Sequence, residues 1–141
     1  VLGESNVLRY RRRGRILVQS EGMTAEEVAL VFLAARMCGV EVLLTTAGEE
    51  ESHQLAAAAN VRWQVETDSE LCASLRSGGE DLERIRTLNP SDELRQAAYE
   101  GELEIIDWPV LANGRIELLH YLREQAVSET RHRYGNIMAP P

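Results

Sequence analysis

The residues able to do chemistry in this chain are few and scattered. Two cysteines, Cys38 and Cys72, stand far apart in helical patterns. Neither has the neighbouring base a thiolate nucleophile needs, so both read as small buried apolar residues and the compartment as reducing. His120 and His132 are twelve residues apart without a cysteine or carboxylate pattern around them, which is not metal-ligand spacing. His53, among acidic residues, reads as an exposed helix residue. Ser20, Ser52 and Ser128 lack the Gly-x-Ser-x-Gly elbow of a hydrolase nucleophile. All fifteen basic residues are arginine. Without lysine, Schiff-base chemistry and a Walker-type phosphate lysine are excluded. Glu49, Glu50 and Glu51 form a charge run that suits a solvated helix start. Asp107 closes a predicted strand, where open α/β sheets place functional groups, but the sequence offers it no partner.

The segment that would position a cofactor is Arg15–Thr46. Ile16, Leu17 and Val18 run consecutively in Arg15–Gln19, the pattern of a strand buried on both faces. Thr24 and Glu27 form a capping box, so a helix starts at Ala25. Val28, Val31, Phe32, Ala35 and Met37 are its expected apolar stripe, and Gly39 its left-handed cap. Val40–Thr46 is a second apolar, β-branched run, completing a right-handed β-α-β crossover. The turn after the first strand, QSEGMTAEE, carries only Gly22 where a dinucleotide fingerprint needs three spaced glycines. Glu21, Glu26 and Glu27 suit the helix dipole there and would repel a phosphate.

The remaining chain continues the alternation. Helix Glu51–Ala59, ending near Asn60, precedes an alternating, edge-like strand at Val61–Glu66. Asp68 is expected to cap a helix to Arg76, broken by Gly78-Gly79. Glu83–Leu88 reads as a strand with Ile85 inward, and Asn89-Pro90 as the start of a helix running to Glu100 and stopped by Gly101. Leu103–Asp107 is a fifth strand, and after the Asn113-Gly114 turn a helix is predicted over Arg115–Gln125. Ala126–His132 regains strand character, and the tail RYGNIMAPP has no periodicity. At the front, residues 1–14 read as an arm or strand whose Arg9, Arg11, Arg12 and Arg13 make a basic patch, a contact for a phosphate or an acidic partner or, as is favoured, simply a solvated arm. The sum is one domain over 1–141: an α/β, Rossmann-like three-layer α/β/α sandwich with a mostly parallel sheet and a projecting C-terminal β-flap and tail over 124–141. A chain of 141 residues buries roughly two-thirds of its unfolded surface. The net charge of −8 argues against nucleic acid, and no apolar run is long enough for a transmembrane segment.

Two segments, GESNVLRYRRRGRILV and GRIELLHYLREQAVSETRHRYGN, resemble the C-terminal region of the bifunctional proline utilization flavoenzymes. That family couples proline dehydrogenase to L-glutamate γ-semialdehyde (Δ1-pyrroline-5-carboxylate) dehydrogenase. The resemblance implies a non-catalytic, aldehyde-dehydrogenase-like domain of a cytoplasmic protein. It would cover the aldehyde dehydrogenase site and the tunnel between the two sites, and leave FAD and NAD to other parts of the parent. The partner is then the aldehyde dehydrogenase domain of the same parent chain. Glu124–Asn136 is the implied flap, and Asn6, Tyr10, Arg12, Val127, Arg131, Arg133, Tyr134, Gly135 and Asn136 are the implied contact residues. Exposed flap edges also offer a homodimer contact. The other reading is a small-molecule sensor or enzyme using the strand carboxyl ends near Ser20, Thr46 and Asp107.

Overall fold

The computed structural model describes residues 4–78 and 81–130. Among these residues, seven strands and five α-helices follow one another along the chain. They are β1 (Glu4–Arg12), β2 (Arg15–Gln19), α1 (Ala25–Cys38), β3 (Glu41–Thr46), α2 (Glu50–Ala59), β4 (Arg62–Val65), α3 (Asp68–Ser77), β5 (Leu82–Arg86), α4 (Asp92–Glu100), β6 (Glu104–Ile106), α5 (Gly114–Glu117) and β7 (Leu122–Thr130). A 3-10 helix, Leu118–Tyr121, joins α5 to β7. Strands β2 to β6 form one parallel sheet in the order β4-β3-β2-β5-β6, with β2 at its centre.

The expected doubly wound sandwich is what forms. Ile16, Val18, Val42 and Leu44 face one side with Val28, Val31, Phe32 and Ala35 of α1 and Ala56 of α2. Leu17, Leu43 and Ile85 face the other with Leu71 and Cys72 of α3 and Leu94, Ala97 and Ala98 of α4. Consecutive apolar residues in β2 are required because both faces of the strand are covered. The capping box at Thr24 and the left-handed Gly39 are both present and fix α1 at its two ends.

Several local expectations give way. Met37 is 68% exposed. At about 100° per residue it lies off the arc that carries Val28, Val31, Ala35 and Cys38. Thr67, not Asp68, caps α3 through a second capping box with Glu70. The helix expected at Asn89-Pro90 starts two residues later, where the Ser91 hydroxyl accepts from the Leu94 N–H at 3.0 Å. Cys72 is fully buried, whereas Cys38 is half-buried with its thiol 3.8 Å from the Leu118 carbonyl. The largest change is at Arg115–Gln125, where a single long helix is replaced by α5, the 3-10 helix and β7 from Leu122. Here cross-strand pairing with β1 overrides the helical periodicity. Among the described residues no helix is long and apolar enough to cross a membrane.

Candidate functional site

The N-terminal strand and the C-terminal flap form one object. β1 and β7 pair antiparallel over nine residues, from Glu4 opposite Thr130 to Arg12 opposite Leu122. At about 3.4 Å per residue this ribbon is about 30 Å long. Its two faces follow from the register, since opposed residues share a face. One carries Asn6 with Ser128, Leu8 with Ala126, Tyr10 with Glu124 and Arg12 with Leu122; the other carries Val7 with Val127 and Arg9 with Gln125. Asn6, Tyr10 and Arg12 are thus brought onto one face, and Val127 lies on the opposite one. Arg131, Arg133, Tyr134, Gly135 and Asn136 fall outside the described residues, as does His132.

Each face presents apolar surface. Val7, Leu8 and Tyr10 are at least half exposed. The Tyr10 hydroxyl donates to Glu124, and that bond with the adjacent negative charge raises the phenol above its ordinary pKa. Ser128 donates its hydroxyl to the Asn6 side chain.

Charged side chains clamp the ribbon at its base. The Arg13 N–H donates to Tyr121 O (3.2 Å), its Nε to Leu122 O (3.4 Å), and its guanidinium reaches Glu104 at 3.4 Å and Glu83 at 4.0 Å. Arg123 of β7 closes on Glu83 at 2.9 Å, and Arg84 bridges Glu104 and the His120 carbonyl. Arg12 reaches the Gly39 carbonyl at 3.5 Å, and Arg11 reaches Gln125 at 3.2 Å. Arg13 is therefore part of a structural neck, whereas Arg9, Arg11 and Arg12 are exposed, as the solvated patch requires. Burial lowers the Arg13 pKa, aided by Arg84 and Arg123, against the pull of Glu104 and Glu83.

Beneath the neck is a group the sequence reading missed. Arg86, Glu117 and Tyr121 are each at most 2% exposed. Arg86 lies 3.5 Å from the Glu117 carboxylate and donates to Ile106 O (3.2 Å) and Trp108 O (2.6 Å). Tyr121 donates to Glu117 at 3.0 Å and the Leu111 N–H does so at 3.1 Å. The available signal was the alternation Arg84-Ile85-Arg86, two charges on one face of a strand that must be covered on both. His120 sits nearby, and burial lowers its pKa against the opposing pull of Glu117.

The strand carboxyl ends are filled by the chain's own polar groups. Gly22 has φ +80°, and a Cβ there would stand 2.5 Å from Asn89 Nδ2. Asn89 therefore occupies the space beside the turn that a pyrophosphate would approach. Glu49 reaches back to accept from Ser20 at 3.2 Å and from the Thr46 hydroxyl. Burial works against the Glu49 carboxylate, but the Thr46, backbone and Ser20 donors outweigh it and hold its pKa below the ordinary value. Gln19 links Thr87 (2.8 Å) to Asp68 (3.0 Å), which accepts from Ser91 at 2.5 Å. Asp107 finds its partner in Arg95 at 2.7 Å, whose hydrogen bond lowers its pKa. His53 is half-buried and stacks on Trp63, centroids 4.3 Å apart, in place of the exposed position expected. Among the described residues no three histidine, cysteine or acidic side chains gather as a metal site. Gly22→Ala should cost about 1–3 kcal/mol, from its left-handed backbone and the displaced Asn89. A urea titration against the unsubstituted protein reads it, and an unchanged midpoint would show that neither the left-handed backbone nor Asn89 resists the added Cβ.

No protein-family model matches the chain, and no curated protein matches it significantly. Among solved structures it is similar to Proline Utilization A (PutA) from Corynebacterium freiburgense, at 28% identity over 94% of this chain and 11% of that chain, TM-score 0.47. It is also similar to apo saccharopine dehydrogenase (L-Glu forming) from Saccharomyces cerevisiae, at 12% identity over 74% of this chain and 23% of that chain, TM-score 0.54. The chain thus spans well under a third of either protein. The second likeness bears on architecture alone: the chain has a Rossmann-like α/β fold of the kind found in a dehydrogenase.

Proposed function

We propose that this chain is a non-catalytic docking domain of a bifunctional proline dehydrogenase/L-glutamate γ-semialdehyde dehydrogenase. It would lie over the aldehyde dehydrogenase site and help to close the tunnel that carries the intermediate. One observation carries the reading. The two segments whose sequences resemble the proline utilization family, separated by about a hundred residues, are the segments that pair as the exposed ribbon. A two-stranded ribbon is marginal alone and gains stability by adding to another sheet or surface. Here Leu8 and Tyr10 on one face and Val7 and Val127 on the other would supply apolar contact, and Asn6 and Arg12 polar contact. FAD and NAD would be held by the rest of a cytoplasmic parent, and the aldehyde dehydrogenase domain of that parent would be the partner.

The filled crevice favours docking over a ligand-binding role at Ser20, Thr46 and Asp107. Those groups are already engaged with Glu49 and Arg95. The test removes residues 124–136 from the parent chain, beside a second variant, Leu8→Asp with Val127→Asp, that leaves the sandwich intact. Both should slow the coupled conversion of proline to glutamate and introduce a lag before NADH appears, as free intermediate escapes. Coupled rates equal to the parent's in both variants would rule the reading out.

A further inference from the structure

The parallel sheet has two outer edges, and they differ. At β6, Glu104 is engaged by Arg13 and Arg84. At β4 the sheet stops on Arg62-Trp63-Gln64-Val65, in which Arg62, Trp63 and Val65 are exposed and Gln64 is half-buried, followed by the half-buried Glu66. Trp63 is 42% and Val65 55% exposed. The Glu66 N–H donates to Thr46 O at 3.1 Å. Peptide groups alternate direction along a strand, so those of Trp63 and Val65 point away from β3 toward the open edge. Neither proline nor lysine guards the edge, and its register with β3 is regular.

We propose that β4 pairs with β4 of a second copy of this chain, antiparallel about a two-fold axis through Gln64. In that register Arg62 faces Glu66 of the second copy, Trp63 faces its Val65, and Gln64 faces its Gln64. Symmetry makes each outer pair twice. The outward peptide groups of Trp63 and Val65 then meet as hydrogen-bonded pairs, whereas a slip of one residue would set them against groups already bonded to β3. The self-complementary order of charges is what selects a second copy as occupant: a positive residue, two apolar residues around a neutral centre, and a negative residue. Glu66 already accepts from Gln64 (2.8 Å) and Thr45 (3.3 Å), both on Oε2, and a carboxylate has further capacity for a guanidinium. The proposal is independent of the ribbon, which leaves that surface free to dock elsewhere.

Sedimentation velocity of the 141-residue chain at rising concentration tests it. The unaltered chain should show a monomer–dimer equilibrium. Arg62→Glu and Glu66→Arg should each weaken the dimer by about tenfold, because both symmetric pairs become repulsive. An equimolar mixture of the two variants sets opposite charges together at both ends and should restore association, a recovery that misfolded variants could not give. A chain monomeric throughout, a dimer that neither variant weakens, or a mixture no stronger than its components would each overturn the proposal.

Discussion

Glu117→Ala is expected to destabilise the fold by about 3–5 kcal/mol. Glu117 is 2% exposed and is the meeting point of the Arg86 guanidinium, the Tyr121 hydroxyl and the Leu111 N–H. Removing it leaves Arg86, 1% exposed, as a buried cation held only by the Ile106 and Trp108 carbonyls. It also unties the short helix that leads into β7, so the ribbon base should loosen with the core. Tyr121→Phe should cost only about 1 kcal/mol, since one neutral donor is lost and the ion pair remains. Replacing Arg86 and Glu117 together by methionine and leucine should recover much of the loss, because no uncompensated charge is then buried. Urea unfolding of the three variants checks the order, and a Glu117→Ala loss no larger than that of Tyr121→Phe would refute the argument. The same group sets an alkaline limit. Burial and the Glu117 carboxylate raise the Tyr121 pKa above its ordinary value of 10.0. The folded state therefore keeps a proton that the unfolded chain releases, and stability should fall as pH rises above that value.

Leu17→Ala should cost about 2–5 kcal/mol. Leu17 is 1% exposed at the centre of the sheet, packed on the face that holds Leu43, Leu71, Ile85 and Leu94. A pocket of about 130 Å³ already adjoins it, bordered by Leu43, Leu71, Leu75 and Leu103 and, toward the surface, by Gln64 and Ser74. Truncation would enlarge that space and not be absorbed by it, which places the expectation toward the upper end of the range. The matching change on the opposite face, Val18→Ala, removes less apolar volume from a cluster in which α1, α2 and Tyr121 converge. It should therefore cost less, and thermal unfolding of the pair orders the two faces. Equal losses would mean that the cavity side collapses around the missing side chain.

Much of this architecture was legible before any coordinates. The Ile16-Leu17-Val18 run, the Thr24–Glu27 capping box and the left-handed Gly39 are local signals, and each one forms where the spacing placed it. Boundaries shifted where another residue able to cap stands close to the expected helix start. At Thr67-Asp68 the threonine won because Glu70 lies three residues beyond it and completes a box. At Asn89-Pro90-Ser91 the serine won because its hydroxyl is the one that reaches an orphan N–H. His53 and Cys38 were misjudged because their surroundings come from distant segments, Trp63 on β4 and Leu118 beside α5.

The sequence by itself determined the alternation of strands and helices, the buried centre of the sheet and the absence of a glycine-rich phosphate turn. All of these rest on neighbours a few residues apart, where periodicity and capping act. Only the tertiary structure decided that Glu4–Arg12 and Leu122–Thr130 pair as one ribbon, that Arg86 and Glu117 meet in the core, and that Asn89 stands against Gly22. Those contacts join residues 31 to 126 positions apart, and no local pattern encodes a partner at that distance. The energy that selects them comes from burying and pairing groups that only the folded chain brings together.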